Sequence, residues 1–165
     1  MNIRKAIQFF FRIRPALCLI IFTLILHPNH HSDATPTYNQ KKVALVIGNG
    51  KYTNVTPLRN ALNDAEDIAA ALKKADFEVF LYQNITVDRL LYALRDFARR
   101  SDGASAAVIY YSGHGIQIAG QNYLIPVDAT LAVDTDVQYE AIPIDLVTAS
   151  VAKANGLRLL IFDAC

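Results

Sequence analysis

The chain is poor in the two side chains that most often do nucleophilic chemistry. Among 165 residues there are two cysteines and four histidines. Cys18 lies inside the first apolar run, so loss of that run leaves Cys165 as the single thiol and excludes an internal disulfide. A lone thiol is either an inert buried residue or a reactive group. His27, His30 and His31 all precede residue 35, which leaves His114 as the only histidine in the body of the chain. A basic stripe is also lacking. The whole chain carries a formal charge of +1, but without residues 1–34 it keeps twelve bases against fourteen acids, a net charge near −2. That balance argues against nucleic acid as a partner. No internal repeat or low-complexity tract is found.

The N-terminus reads as an export segment. Arg4, Lys5, Arg12 and Arg14 form a basic region ahead of an apolar stretch from Ala16 to Leu26. Its eleven residues suit a signal-peptide core better than a membrane span. Ser32-Asp33-Ala34 offers small residues where a signal peptidase reads. Joining Phe9-Phe10-Phe11 to the run gives the alternative, an uncleaved anchor interrupted by Arg12 and Arg14. Either reading places the domain outside the cytoplasm, periplasmic or extracellular, or attached to the membrane and facing outward. Residues 35–40 belong to a polar linker with Pro28 and Pro36 nearby.

From Lys41 the pattern alternates. Val43 to Ile47 is a buried strand bounded by Gly48-Asn49-Gly50. Leu62, Ala65, Ile68, Ala69 and Leu72 predict a helix with Asp64, Glu66 and Asp67 in its first turn and Lys73 and Lys74 in its last. Phe77 to Leu81 is the next strand. Thr86 is the expected N-cap of a helix whose apolar face is Leu90, Leu91, Leu94 and Phe97. Ala106 to Tyr111 is a third strand, and Ile116 to Leu124 a hairpin turning at Ala119-Gly120. Asp145 to Ala154 predicts a helix closed by Gly156, and Leu157 to Phe162 a fourth strand. Strands alternating with helices imply a mostly parallel α/β sheet.

Chemistry in such sheets gathers at the carboxyl ends of strands. His114 follows one strand, in Tyr110-Tyr111-Ser112-Gly113-His114-Gly115. Cys165 follows another, in Asp163-Ala164-Cys165. If the two strands are neighbours, an imidazole and a thiol meet across 51 positions of sequence. A thiol with an ordinary pKa is mostly protonated at neutral pH, and a nearby imidazole favours the thiolate. Gly113 and Gly115 let a substrate backbone approach, and the Gly115 N–H is free to face a developing oxyanion. The plainer reading is a tight turn after the strand whose histidine only caps the sheet.

Four segments taken in order resemble the caspase-like cysteine peptidases, the group of caspases, metacaspases and bacterial relatives. They are Val43-Ala44-Leu45-Val46-Ile47-Gly48-Asn49, Leu62-Asn63-Asp64-Ala65, the His114 segment and Asp163-Ala164-Cys165, and they span residues 43–165. The separation of histidine and cysteine is the one already described for caspases. The resemblance implies a three-layer sandwich and peptide-bond hydrolysis through a thioester, with Cys165 as nucleophile and His114 as general acid/base. The N–H groups of Gly115 and Cys165 would form the oxyanion hole. No cofactor and no metal are implied, and the partner is a peptide or protein substrate.

Three departures matter. Asp163 stands where caspases carry glutamine; aspartate there is similar to metacaspases, which cleave after Arg or Lys, and an acidic pocket suits a cationic side chain. The plainer reading of Asp163 is a carboxylate bonded to nearby backbone. Leu58 stands by register where caspases carry an aspartate-reading arginine, with Arg59 one position away. The family continues past the cysteine, with strands that complete the sheet and groove. The sequence therefore reads as an incomplete domain of residues 41–165 with C-terminal strands missing, little activity, a carboxylate opposing the thiolate, and a last strand prone to self-association.

Other signals are weaker. Gly48-Asn49-Gly50 suggests a nucleotide site, which would need phosphate contacts from Gly48 to Lys51. Asn54-Val55-Thr56 and Asn84-Ile85-Thr86 match the glycosylation pattern by coincidence. Asp128, Asp134, Asp136 and Glu140 read as a solvated acidic loop without the spacing of a calcium site. The runner-up to a peptidase is a non-catalytic caspase-like domain that binds peptides or protein partners.

Overall fold

The computed structural model describes residues 41–164. The export segment over 1–34, the linker over 35–40 and Cys165 lie outside the described residues. Four parallel strands form the main sheet: β1 (Lys42–Gly48), β2 (Glu78–Gln83), β3 (Ala106–Ser112) and β7 (Leu157–Asp163), in the order β2-β1-β3-β7. Val43 to Ile47 are completely buried, as expected of an unbroken apolar run in the middle of a parallel sheet. Each buried Val, Leu or Ile side chain among them contributes roughly 1.5–3 kcal/mol by leaving water.

Helix α1 (Ala61–Lys74) packs on one face through Ala61, Ala65 and Ala69, whose spacing of four makes a flat small-residue stripe. Its first turn holds Asp64, so Glu66 and Asp67 sit one turn further on than the sequence suggested. Helix α2 (Val87–Arg100) covers the other face with Leu90, Ala93, Leu94 and Phe97, joined there by Val147 of α4 (Ile144–Ala149), which follows the one-turn α3 (Val137–Glu140). Helix, sheet and helix pair make the three layers of the expected sandwich. A hairpin of β4 (Gly115–Ile118) and β5 (Gln121–Leu124) extends from the end of β3, with β6 (Ile142–Pro143) beside β5. Its turn residues, Ala119 and Gly120, have φ of 52° and 80°, the left-handed pair of a tight hairpin.

Three local expectations are corrected. Thr86 is the N-cap residue but its side chain makes no cap bond; the Val87 N–H donates instead to Asp128 at 3.0 Å. The last helix ends at Ala149, not Ala154. Beyond it the chain tightens into turns, with Ala152 donating to Ala149 and Ala154 to Val151, while the Ser101 hydroxyl donates to the Ser150 carbonyl at 2.8 Å. Gly156 does not close the helix. A methyl group there would collide with the Ser105 carbonyl, so glycine permits the close approach that starts the β3–β7 pairing. The acidic loop is also more than solvated charge. Glu140 accepts the N–H groups of Thr130 and Leu131 at 2.6 and 2.8 Å, and Asp136 accepts that of Val133 at 3.0 Å. Its carboxylates tie the loop's own backbone, which is why a polar stretch holds a defined path.

Candidate active site

Parallel register fixes which residues meet at the top of the sheet. Gly48 pairs with Ser112 and Ser112 with Asp163, so β1, β3 and β7 end level. The chain ends are stitched together: the Gly113 N–H donates to the Asp163 carbonyl at 3.3 Å, and the Ser112 hydroxyl to the Asp163 carboxylate at 3.4 Å. Above them opens a cleft of about 440 Å³ whose walls include Arg59, Asp64, Ser112, His114, Asp163 and Ala164. His114 and Asp163 therefore share one cleft. Cys165, bonded to Ala164, is outside the described residues.

His114 is half-buried and held from three sides. Its Nε2 lies 2.8 Å from the Thr56 carbonyl. A carbonyl only accepts, so Nε2 carries the hydrogen and Nδ1 is the ring nitrogen left to take a proton. The His114 N–H donates to the Tyr52 hydroxyl at 2.7 Å, and the Tyr52 ring lies 4.6 Å from the imidazole, tilted by 54°. The His114 carbonyl receives the Tyr111 hydroxyl at 2.8 Å and the Ile125 N–H at 3.0 Å. Gly113 must be glycine, because a methyl there would press on the hydroxyls of Tyr111 and Tyr52 at 2.5 and 2.7 Å. Burial pushes the Tyr52 phenol up and the Tyr111 phenol well up, so both stay protonated donors.

The bond from Ile125 to His114 makes Gly115 and Leu124 a pair without mutual hydrogen bonds. The Gly115 N–H consequently points away from β5. Gly115 also lies against Ala164, whose Cβ would be 3.5 Å from a methyl built on the glycine.

Asp163 is exposed, and its side-chain partner is the Ser112 hydroxyl, not the backbone bond of the plainer reading. Leu58 and Arg59 both border the cleft. Asp64 also lines the cleft; helical periodicity marks it only as a helix-terminus charge, although it lies three positions after the inward-facing Ala61 and within the segment Leu62-Asn63-Asp64-Ala65. Burial raises the Tyr110 phenol, and the charges of Asp163 and Asp64 add to the effect, so both carboxylates act on one neighbourhood. Among the described residues neither carboxylate makes an ion pair. Thr56 and Tyr52 carry no such mark, because nothing in periodicity tells which loop folds back over a strand end.

The nucleotide reading fails on the same ground of geometry. The N–H groups of Gly50 and Lys51 are taken by the Asn84 side-chain oxygen at 3.0 and 2.8 Å. Asn49 is fully buried, accepting the Ile85 N–H at 3.0 Å and donating to the Ile125 carbonyl at 3.3 Å. No backbone cradle for phosphate remains there.

Comparison with known proteins agrees with this architecture. The caspase domain family matches residues 41–165. The human mucosa-associated lymphoid tissue lymphoma translocation protein 1 is 28% identical over 144 residues, 84% of this chain and 17% of that protein. Its Mus musculus homolog is 27% identical over 143 residues, 84% of this chain and 16% of the relative. The chain thus spans about a sixth of the length of these two relatives. A crystal structure of a protein from Geobacter sulfurreducens superimposes with a TM-score of 0.60 at 21% identity, over 76% of this chain and 50% of that one, a likeness of fold. With the family matched from Lys41 to the last residue, the chain belongs to the caspase-domain family, a family of cysteine-peptidase type.

Proposed function

We propose that the protein is a cysteine endopeptidase that cleaves after basic residues, with His114 and Cys165 as its dyad. The observation that carries the reading is the shared cleft. His114, whose Nδ1 has no partner among the described residues, borders the same cavity as Ala164, and Cys165 is the next residue in the chain. In the reaction the Cys165 thiol gives its proton to the imidazole and the sulfur attacks the scissile carbonyl. The negative oxygen of the tetrahedral intermediate is received by N–H groups, for which Gly115 is placed away from β5. Collapse forms the thioester as the imidazolium protonates the departing amine. Water, deprotonated by the same imidazole, then releases the acid and the free thiol.

The preference for a cationic side chain rests on Asp163 and Asp64, two carboxylates against one guanidinium, Arg59, in the cleft. The test is turnover of matched peptides ending in Arg or Asp. The Arg peptide is expected to be cleaved faster. Cys165→Ala abolishes turnover, and Asp163→Asn together with Asp64→Asn erodes the preference by at least tenfold. Unchanged turnover in Cys165→Ala would overturn the mechanism. Faster cleavage after Asp would pass the reading of the pocket to Arg59.

A further inference from the structure

We propose that Tyr52 is a positioning residue for His114, its hydroxyl anchoring the histidine main chain and its ring backing the imidazole; this rests on the dyad read above. Tyr52 is 6% exposed and stands in the loop after β1, far in sequence from the histidine it touches. A buried tyrosine could serve only to fill space among Ile125, Val127 and Ala129, its apolar neighbours. The hydroxyl argues otherwise. It accepts the His114 N–H at 2.7 Å and lies 3.2 Å from the Ile125 carbonyl and 3.4 Å from the Tyr111 hydroxyl.

The hydrogens can be counted. Two phenols bring two O–H donors, and two carbonyls, those of His114 and Ile125, are within reach. Tyr111 serves the His114 carbonyl and Tyr52 the Ile125 carbonyl, while the oxygen of Tyr52 receives the His114 N–H. Both peptide groups flanking the His114 α-carbon are thereby fixed by phenols, and only the side-chain torsions stay free. Those are restricted by the Tyr52 ring on one side and the Thr56 carbonyl at Nε2.

Thr56 lies only four residues beyond Tyr52, in the same loop. That loop is pinned by the Thr53 N–H and hydroxyl on the Val127 carbonyl at 3.0 and 3.1 Å, and by Asn54 on the Ala129 carbonyl at 3.1 Å. One short segment therefore holds the imidazole by main chain, ring face and ring nitrogen. Misplacing a proton-transfer group by about 1 Å can cost on the order of 10²-fold in rate.

The experiment compares wild type, Tyr52→Phe, Tyr52→Leu and His114→Ala in the intact protein. Tyr52→Phe keeps the ring and loses the hydroxyl, and is expected to lower kcat by roughly 10- to 10²-fold with KM within about threefold. Tyr52→Leu loses the ring too and lowers kcat further. A Tyr52→Phe protein with kcat within twofold of wild type, beside an inactive His114→Ala, would overturn the positioning role and leave the dyad standing. Turnover surviving in His114→Ala would instead overturn the dyad. A measurement on the unaltered protein covers the case in which the variants do not fold. The His114 amide should exchange with solvent at least 10²-fold more slowly than an open amide, and its ring nitrogens should report the Nε2–H tautomer. An unprotected amide or the opposite tautomer would overturn the proposal without any substitution.

Discussion

Strands β3 and β7 are equal in length, run parallel side by side and both lead into the cleft. Their burial could hardly differ more. Every residue of β3 is buried, whereas Leu157, Leu159 and Ile161 of β7 are 54%, 40% and 38% exposed. Composition alone does not explain this: six of the seven residues of β3 and five of the seven of β7 are hydrophobic, yet even these two leucines and the isoleucine of β7 stay open to solvent. Position does. β3 has a strand on each side and helices on both faces. β7 lies at the edge of the four-stranded sheet: Leu160 and Phe162 reach the core shared with α2 and α4, while α1 lies over β1, β2 and β3. An apolar run states that a strand wants burial, and the neighbours decide whether it gets it.

The difference can be tested by exchanging side chains on the two strands. Ile109→Ala in β3 should cost roughly 2–5 kcal/mol, the range for truncating a fully buried aliphatic side chain. Ile161→Lys in β7 should cost about 1 kcal/mol or less, because the lysine stem can lie along the half-covered surface with its ammonium in water. If wild-type chains associate through the exposed face of β7, the lysine reduces that association, since a charge on an apolar strand edge discourages pairing with another chain. Denaturant melts and light scattering of both variants check this. Equal losses of stability would mean that the β7 face is covered in solution.

A smaller effect separates the strands by pH. β3 carries the Tyr111 phenol, which burial holds well above its ordinary value of 10.0. The folded chain keeps that proton where the unfolded chain releases it. Stability from this group is therefore fully present below about pH 10 and is lost as pH rises past it. Tyr111→Phe should flatten the alkaline fall while lowering stability at neutral pH, where the hydroxyl serves the carbonyls of His114 and Ile125. Melting temperatures between about pH 8 and 11, on either side of the roughly pH 10 midpoint of a free phenol, decide it. Identical alkaline slopes in the two proteins would show that another group governs that limb.

Much of the sheet was legible because β1, β3 and β7 are apolar runs closed by glycine or by a charged residue. The levelling of β3 and β7 was legible too, as two strand ends that had to be neighbours if the histidine and the thiol were to cooperate. What stayed hidden depends on contacts distant in sequence. The loop from Asn49 to Asn60 has no periodicity, yet it supplies the Tyr52 hydroxyl, the Thr56 carbonyl and the cleft wall at Arg59. Asp128 and Glu140 looked like surface charge because composition does not show a carboxylate aimed at a backbone N–H. Helix α4 is shorter than its pattern suggests: past Ala149 the backbone bonds tighten to three-residue turns, and the Ser150 carbonyl is taken up by the distant Ser101 hydroxyl, a contact that periodicity does not show.

The most direct test of the account is labelling by a peptide that ends in arginine and carries a thiol-alkylating group. The account predicts modification at Cys165 and not at Cys18, slowed by at least tenfold when the arginine is replaced by aspartate, and by about 10²-fold or more in His114→Ala. Labelling of Cys165 at the same rate with and without the His114 imidazole, and regardless of the peptide, would contradict it.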